Sequence, residues 1–333
     1  MSIISICTLD PKELKELLVA AEVGNIDKMR NVFIAAEQWG MARKWLTQSD
    51  IKGRTILHFA AIYGYLGVAT FIVDKIIQAT KDTDLTKEYL NMTDHKGRTP
   101  LFHAVAEGRF KVASLLVESG VDLEVPTNAK HYQPGSTALM ACAEKNTSRC
   151  AELLIEHGAD IFAIRKDGAD AAYIASRYGH HTIVQQIVEA DVRELVVNRP
   201  TFQGRTILLT AAFHGHVRVC KYLVKNGASI DHQDNNNYTA LMYAASEGHL
   251  EIVKYLLISG ANHRKRDVFG NTALKSAEEN LHTDVVKYIK RWKEEEMSSR
   301  TSIDSSTKVE KGKSKRERGS YLPEKGILKN PSR

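Results

Sequence analysis

Between Asp234 and Arg266 the apolar residues return at helical spacing and predict two short helices. Leu241, Ala244 and Ala245 share one face of the first. Leu250, Ile252, Val253, Leu256 and Leu257 form a stripe on the second, with charge on its other side. Thr239 stands where an N-cap hydroxyl accepts from an orphan amide of the first turn. Gly248 and Gly260 follow the two helices, where a left-handed residue is least costly as glycine. Such a pair cannot bury both stripes alone, so it needs copies of itself as neighbours.

The copies are present. Asp50 to about residue 74 carries Gly53, Thr55, Leu57, His58, Ala60, Ala61 and Gly64 in the same order. Further copies begin at Asp94, Gly135, Gly168, Gly204 and Asp267, the one at Gly168 being weaker, with Asp170 in place of threonine. Gly135 and Gly168 lie 33 positions apart, and Gly204 and Gly270 lie twice that far, with Asn237 replacing glycine between them. Asparagine tolerates the left-handed turn that glycine serves. Longer gaps follow Gly53 and Gly97, and the surplus near 78–93 and 191–203 reads as polar or irregular inserts. Pro11, Leu14, Leu17, Leu18 and Gly24 show the rhythm in worn form, which suits a capping repeat.

A 33-residue period carrying GRTILHFAAIYGY, GRTPLFHAVAEGR and YTALMYAASEGHLEIVKYLLISGAN resembles the ankyrin repeat family. The likeness runs from about Asp50 to Trp292. It implies an all-α solenoid of helix-turn-helix units with β-hairpin or turn fingers. The expected organisation is a degenerate N-terminal cap over 1–49, about seven repeats over 50–296, and a disordered basic tail over 297–333. The resemblance also implies a binding module, in which finger tips and first helices engage a folded protein. The tip residues are Lys96, Arg98, Lys166, Arg205, Asn235, Asn236, Tyr238 and Phe269. An exposed Tyr or Phe at such a tip is a natural interface anchor.

Composition changes this picture little. Of the 333 residues 43% are hydrophobic, enough for a sizeable core, and a formal charge of +6 is modest for the length. No apolar run approaches the roughly 18 residues of a membrane span, and the opening MSIISICTLD lacks a signal-peptide pattern. Cys7, Cys142, Cys150 and Cys220 have neither metal-ligand nor redox spacing. Buried thiols at Cys142, Cys150 and Cys220, which sit in helical patterns, and a place in the cytoplasm or nucleus are the expectation. His58, His216 and His249 read as structural bonds within and between repeats, since no pair has zinc spacing with a third ligand. Gly312-Lys313-Ser314 echoes a phosphate loop, but Thr307 occupies the place of its first glycine. Asn91, Asn146 and Asn237 head glycosylation patterns without a secretory context. No nucleophile and base fall together, so neither catalysis, cofactor nor metal is expected.

The tail ends LPEKGILKNPSR, an apolar pair between lysines in a polar run. Lys325, Gly326, Ile327, Leu328 and Lys329 resemble the Gly/Ser-Ile-Leu-Lys docking motif of type 1 serine/threonine phosphatase regulators, and closely the inhibitor-2 stretch. By that resemblance Ile327 and Leu328 fill a groove on the phosphatase catalytic subunit, and Lys329 meets acidic residues. The companion basic-x-Val/Ile-x-Phe/Trp motif is missing, and Arg266-Asp267-Val268-Phe269 has the wrong spacing. Lys311, Lys313, Lys315, Arg316 and Arg318 suit a nuclear import signal or a solvated run. Ser302 and Ser320 follow arginines and suit phosphorylation that gates the docking segment. The expected function is a targeting subunit of that phosphatase, or alternatively an adaptor in signalling or ubiquitin-ligase substrate selection with an inert tail. Nucleic-acid binding ranks third, lacking interleaved aromatics.

Overall fold

The computed structural model describes residues 19–21, 23–38, 45–80, 83–128 and 134–296. Cys7 and all of 297–333 lie outside them. After α1 (Ile26–Gln38) the described chain forms seven helix pairs. They are α2 (Ile56–Tyr63) with α3 (Leu66–Thr80), α5 (Pro100–Ala106) with α6 (Phe110–Glu118), and α7 (Ala138–Lys145) with α8 (Ser148–Glu156). Then come α9 (Ala171–Tyr178) with α10 (His181–Ala190), α11 (Ile207–Phe213) with α12 (Val217–Lys225), and α13 (Ala240–Ser246) with α14 (Leu250–Ile258). The last pair is α15 (Ala273–Glu279) with α16 (283–296). An extra helix α4 (Thr83–Leu90) lies between the first two pairs.

Each first helix begins at the polar residue that the sequence marks. The hydroxyls of Thr99, Thr206 and Thr239 accept from Phe102, Leu209 and Met242 N–H at 3.1, 3.4 and 3.2 Å. Asp170 does the same for Tyr173 N–H at 2.8 Å, so the weak copy keeps its cap. Such a cap contributes about 1 kcal/mol.

First helices stack on first helices and second helices on second helices, in two rows. Ala60, Ala61, Ala104, Ala143, Ala175, Ala211, Ala212, Ala244 and Ala245 are fully buried in the first row. Side chains this small let the backbones approach, and the first row is the more closely packed of the two. The second row is filled by larger residues such as Ile72, Leu116, Leu154, Ile187, Leu223 and Leu256.

The two inserts differ from their expected form. The residues after Gln78 continue as helix, because Ile76 and Thr80 carry the buried stripe of α3 onward. Thr80 Oγ1 bonds the Ile76 carbonyl at 2.9 Å and Thr86 Oγ1 at 2.5 Å, and α4 closes on the fully buried Leu90. At 191–203, Asp191 Oδ2 accepts from Val196 N–H at 2.6 Å and sets a 3-10 turn, Val196–Asn198, that buries Val196 and Val197. Asn198 then accepts from Ser229 N–H at 2.7 Å. Asn91 and Asp231 make the same bond to Asp122 and Asn262 N–H, so the insert ends by rebuilding the ordinary joint between repeats.

The fingers are turns and not paired strands; among the described residues the strand-like contact is an isolated bridge from Ser49 to Thr55. Adjacent fingers are joined by single bonds, such as His95 N–H to Lys52 O at 2.9 Å and Val268 N–H to Asn236 O at 3.1 Å. That is too little pairing for a ladder. No helix among the described residues is long and apolar enough to cross a membrane.

Candidate functional site

Four of the fingers are held by an aspartate at their first position. Asp234 Oδ1 accepts from the N–H groups of Asn236 and Tyr238, both at 2.9 Å. Asp50, Asp94 and Asp267 repeat the arrangement in their own fingers. The fourth residue turns left-handed, including Asn237 with φ of 60°. At Asp94 and Asp234 the second carboxylate oxygen meets a side chain of the first helix. Asp94 Oδ2 accepts from His103 Nε2 at 3.1 Å, and Asp234 Oδ2 from the Tyr243 hydroxyl at 2.5 Å. Burial favours the neutral acid at Asp94, but the bonds from His103 and Arg98 outweigh it and hold the carboxyl far below its ordinary range. Burial and the Asp234 carboxylate together push the Tyr243 phenol up.

Three central fingers depart from this pattern, with Thr127, Arg165 and Thr201 in place of the aspartate. Arg165 is buried and clamps Asp167 at 2.7 Å, and one of its Nη atoms has no hydrogen-bond partner. Arg205 occupies the position that Arg54 and Arg98 hold in the first two fingers. Those two pair with their own aspartates at 2.6 and 2.8 Å. Arg205 faces Thr201 in its own finger and reaches Asp234 of the next at only 3.7 Å. It lies over the rings of Tyr243 and Phe213, at 5.2 and 6.0 Å from their centroids.

The eight tip residues therefore fall into two groups. Lys96, Lys166, Asn235, Asn236 and Phe269 are exposed, Phe269 at 80%. Arg98, Arg205 and Tyr238 are half-buried and engaged, Tyr238 by stacking on Tyr243 with centroids 5.0 Å apart. Asn235 also donates to the Phe202 carbonyl at 3.0 Å. The residues named for phosphatase docking, Lys325 to Lys329, lie outside the described residues.

The first helices contribute surface that the tips alone do not reveal. Tyr173 and Arg177 of α9 and Phe213 and His214, at the end of α11, line a cleft of about 240 Å³ with Asp167 and Arg205 of two fingers. Burial lowers the His214 imidazole pKa, and the charges of Arg177, His216 and Arg205 lower it further against a weaker pull from Glu247. The positive charge at the cleft is thus that of Arg177 and Arg205, with His214 held toward its neutral form. A signal for Arg177, Phe213 and His214 exists in the sequence: they follow the buried small pairs Ala175-Ser176 and Ala211-Ala212, where the core pattern lapses.

The histidines act as joints between repeats. His216 and His249 bond through Nε2 to the Arg177 and Phe213 carbonyls of the preceding repeat, at 2.9 and 3.0 Å. His180 and His282 bond the Ala143 and Ser246 carbonyls at 2.8 and 2.9 Å. His58 accepts from Thr55 N–H at 3.1 Å and donates to Arg98 O at 3.0 Å, linking the first two repeats.

Comparison with known proteins agrees with this architecture. A family profile described as Ankyrin repeats (3 copies) matches residues 10–127, 123–194, 190–267 and 233–301. An ankyrin repeat and KH domain-containing protein of Caenorhabditis briggsae is 34% identical over 111 residues, 32% of this chain and 4% of that protein. Ankyrin repeat and SAM domain-containing protein 6 of Mus musculus is 34% identical over 79 residues, 23% of this chain and 8% of that protein. The chain thus spans less than a tenth of either relative. Among solved structures, the ankyrin repeat domain of Bcl-3, a member of the IkappaB protein family, superposes with a TM-score of 0.59. That likeness covers 71% of this chain and 99% of the other at 24% identity, and so concerns the fold alone.

Proposed function

This chain belongs to the ankyrin repeat family, and we propose that it is a non-enzymatic scaffold that holds one protein against the face made by its fingers and first helices. Ankyrin repeats bind proteins, and the observation that supports this face is the ordered row of fingers. Backbone bonds fix the turns, four of them with an Asp carboxylate as well, while Lys96, Lys166, Asn236 and Phe269 project into solvent. A surface already ordered loses little entropy on binding, and Phe269 supplies an aromatic anchor. Affinity capture with wild-type protein and with Lys166→Ala/Phe269→Ala tests it. A partner recovered by the first and reduced at least about tenfold by the second is expected for loss of anchor residues. Equal recovery by both contradicts this face.

A finer reading rests on the sequence Lys325-Gly326-Ile327-Leu328-Lys329-Asn330. In it the tail recruits a type 1 serine/threonine phosphatase catalytic subunit while the repeats select the substrate or location. An adaptor with an inert tail is the alternative. Purified phosphatase should bind the wild-type protein and not Ile327→Ala/Leu328→Ala. Equal binding, or none to either, removes the phosphatase and leaves the adaptor.

A further inference from the structure

In the cleft between α9 and α11, Arg205 is less closely paired with an acid than the equivalent arginines of the first two fingers. Arg54 and Arg98 are paired within their own fingers. Arg205 has a buried Nε with no hydrogen-bond partner, because Asp234 is 3.7 Å away and already engaged by Tyr243. Arg177 is exposed at the rim, and among the described residues no carboxylate lies within ion-pair distance of it. The cleft's own acid, Asp167, is taken by Arg165 at 2.7 Å. Two guanidinium groups and His214 thus face one space, with the phenol of Tyr173 and the ring of Phe213 as walls.

We propose that this cleft receives the carboxylate of an Asp or Glu side chain from an acidic segment of the protein held on the finger and first-helix face, an assignment that rests on the function proposed above. Guanidinium groups match a carboxylate in geometry as well as in charge, and partial enclosure strengthens the attraction relative to open water. The charge on either side sets the length of the segment. The corresponding first-helix positions carry Glu107 and Glu144 before the cleft, Glu144 being paired with its neighbour Lys145 at 3.1 Å, and Glu247 and Glu279 after it. Like charge repels acids placed there. The segment is therefore short, centred on the fourth and fifth repeats, and flanked by neutral or basic residues.

Arg177→Glu is a clean probe, since the side chain is exposed, lies over the Tyr178 ring at 6.0 Å and takes no part in the bonds that hold the fold. Lys225→Glu makes the same charge change on the exposed surface of α12, in the other row. The probe ligand is a fluorescein-labelled Glu-rich peptide read by anisotropy, with arginine Nε–H resonances followed by NMR. The wild type should bind with salt-dependent affinity, Arg177→Glu should weaken it about tenfold or more, and Lys225→Glu by less than about twofold. The Arg177 and Arg205 side-chain resonances should move together. No binding at low salt, or equal weakening by both variants, overturns the assignment. Binding of a phosphoserine peptide without binding of the Glu-rich peptide overturns the carboxylate as well. None of these results touches the capture experiment above, so the two readings fail separately.

Discussion

Stability should fall in mild acid because of His58. The ring is completely buried and its two nitrogens have fixed roles. Thr55 N–H can only donate, so Nδ1 must accept, and the Arg98 carbonyl can only accept, so Nε2 carries the hydrogen. A proton added to Nδ1 would set two donors against each other and place charge in a dry site. Burial is the largest cause of the lowered pKa, followed against the Arg98 carbonyl by the charges of His103 and Arg98, and the value falls from 6.5 to about 4. The unfolded chain therefore binds this proton at a higher pH than the folded one. Stability from this source is complete above the unfolded value and declines as pH falls from about 6.5 to about 4. A displacement of that size is worth about 3 kcal/mol when fully expressed.

The assay is denaturant unfolding across this range, followed by a probe in the first two repeats, since a solenoid need not unfold as one unit. His58→Gln supplies the comparison, because its amide can accept at one atom and donate at the other without titrating. The variant should be less stable than wild type near neutral pH by about 1 kcal/mol. It should also lose less stability on acidification than the wild type does. Asp94 does not confuse the comparison, because its depressed pKa costs stability only as pH falls below the ordinary carboxylate range. Equal acid sensitivity in the two proteins would refute the reasoning.

Other perturbations follow from the same bonds. Gly215 sits at φ of 80° with His249 packed over it, and an added Cβ would lie 2.7 Å from the imidazole; Gly215→Ala should cost about 1–3 kcal/mol in thermal unfolding and weaken the bond from His249 to Phe213 O. Tyr243→Phe leaves the buried Asp234 Oδ2 without its hydroxyl donor and should cost about 1–3 kcal/mol, measurable by denaturant titration. Cys142, Cys150 and Cys220 are free, buried thiols, with burial pushing Cys220 up to about 12. They should resist a thiol reagent in the native protein and react once denatured.

Much of this arrangement is legible in the chain because it depends on local rules. The N-cap residues Thr99, Thr206, Thr239 and Asp170, the left-handed Asn237 and the small residues of the first helices each act within a few positions. What resisted reading depends on contacts made elsewhere. Residues 83–90 look polar, and their helix forms because Leu90 finds a buried site. The turn at 196–198 depends on Asp191, whose two oxygens cap separate amides. Arg98 and Arg205 look alike as tip residues, yet one is neutralised by its own finger and the other is not. That difference requires knowing that Thr201 heads its finger where Asp94 heads the second, and that Tyr243 already holds Asp234. The cleft residues Arg177 and His214 come from helices whose core pattern says only that they are not needed inside.

The claim that the fingers and first helices form the binding face is tested most directly by site-specific photo-crosslinking. A photoreactive residue is placed at Tyr178 or Phe269 on that face, and at Lys225 on the opposite row. Adducts to one and the same protein from the first two positions, with none from the third, are the predicted result. An adduct from Lys225 with none from Tyr178 or Phe269 would contradict the account.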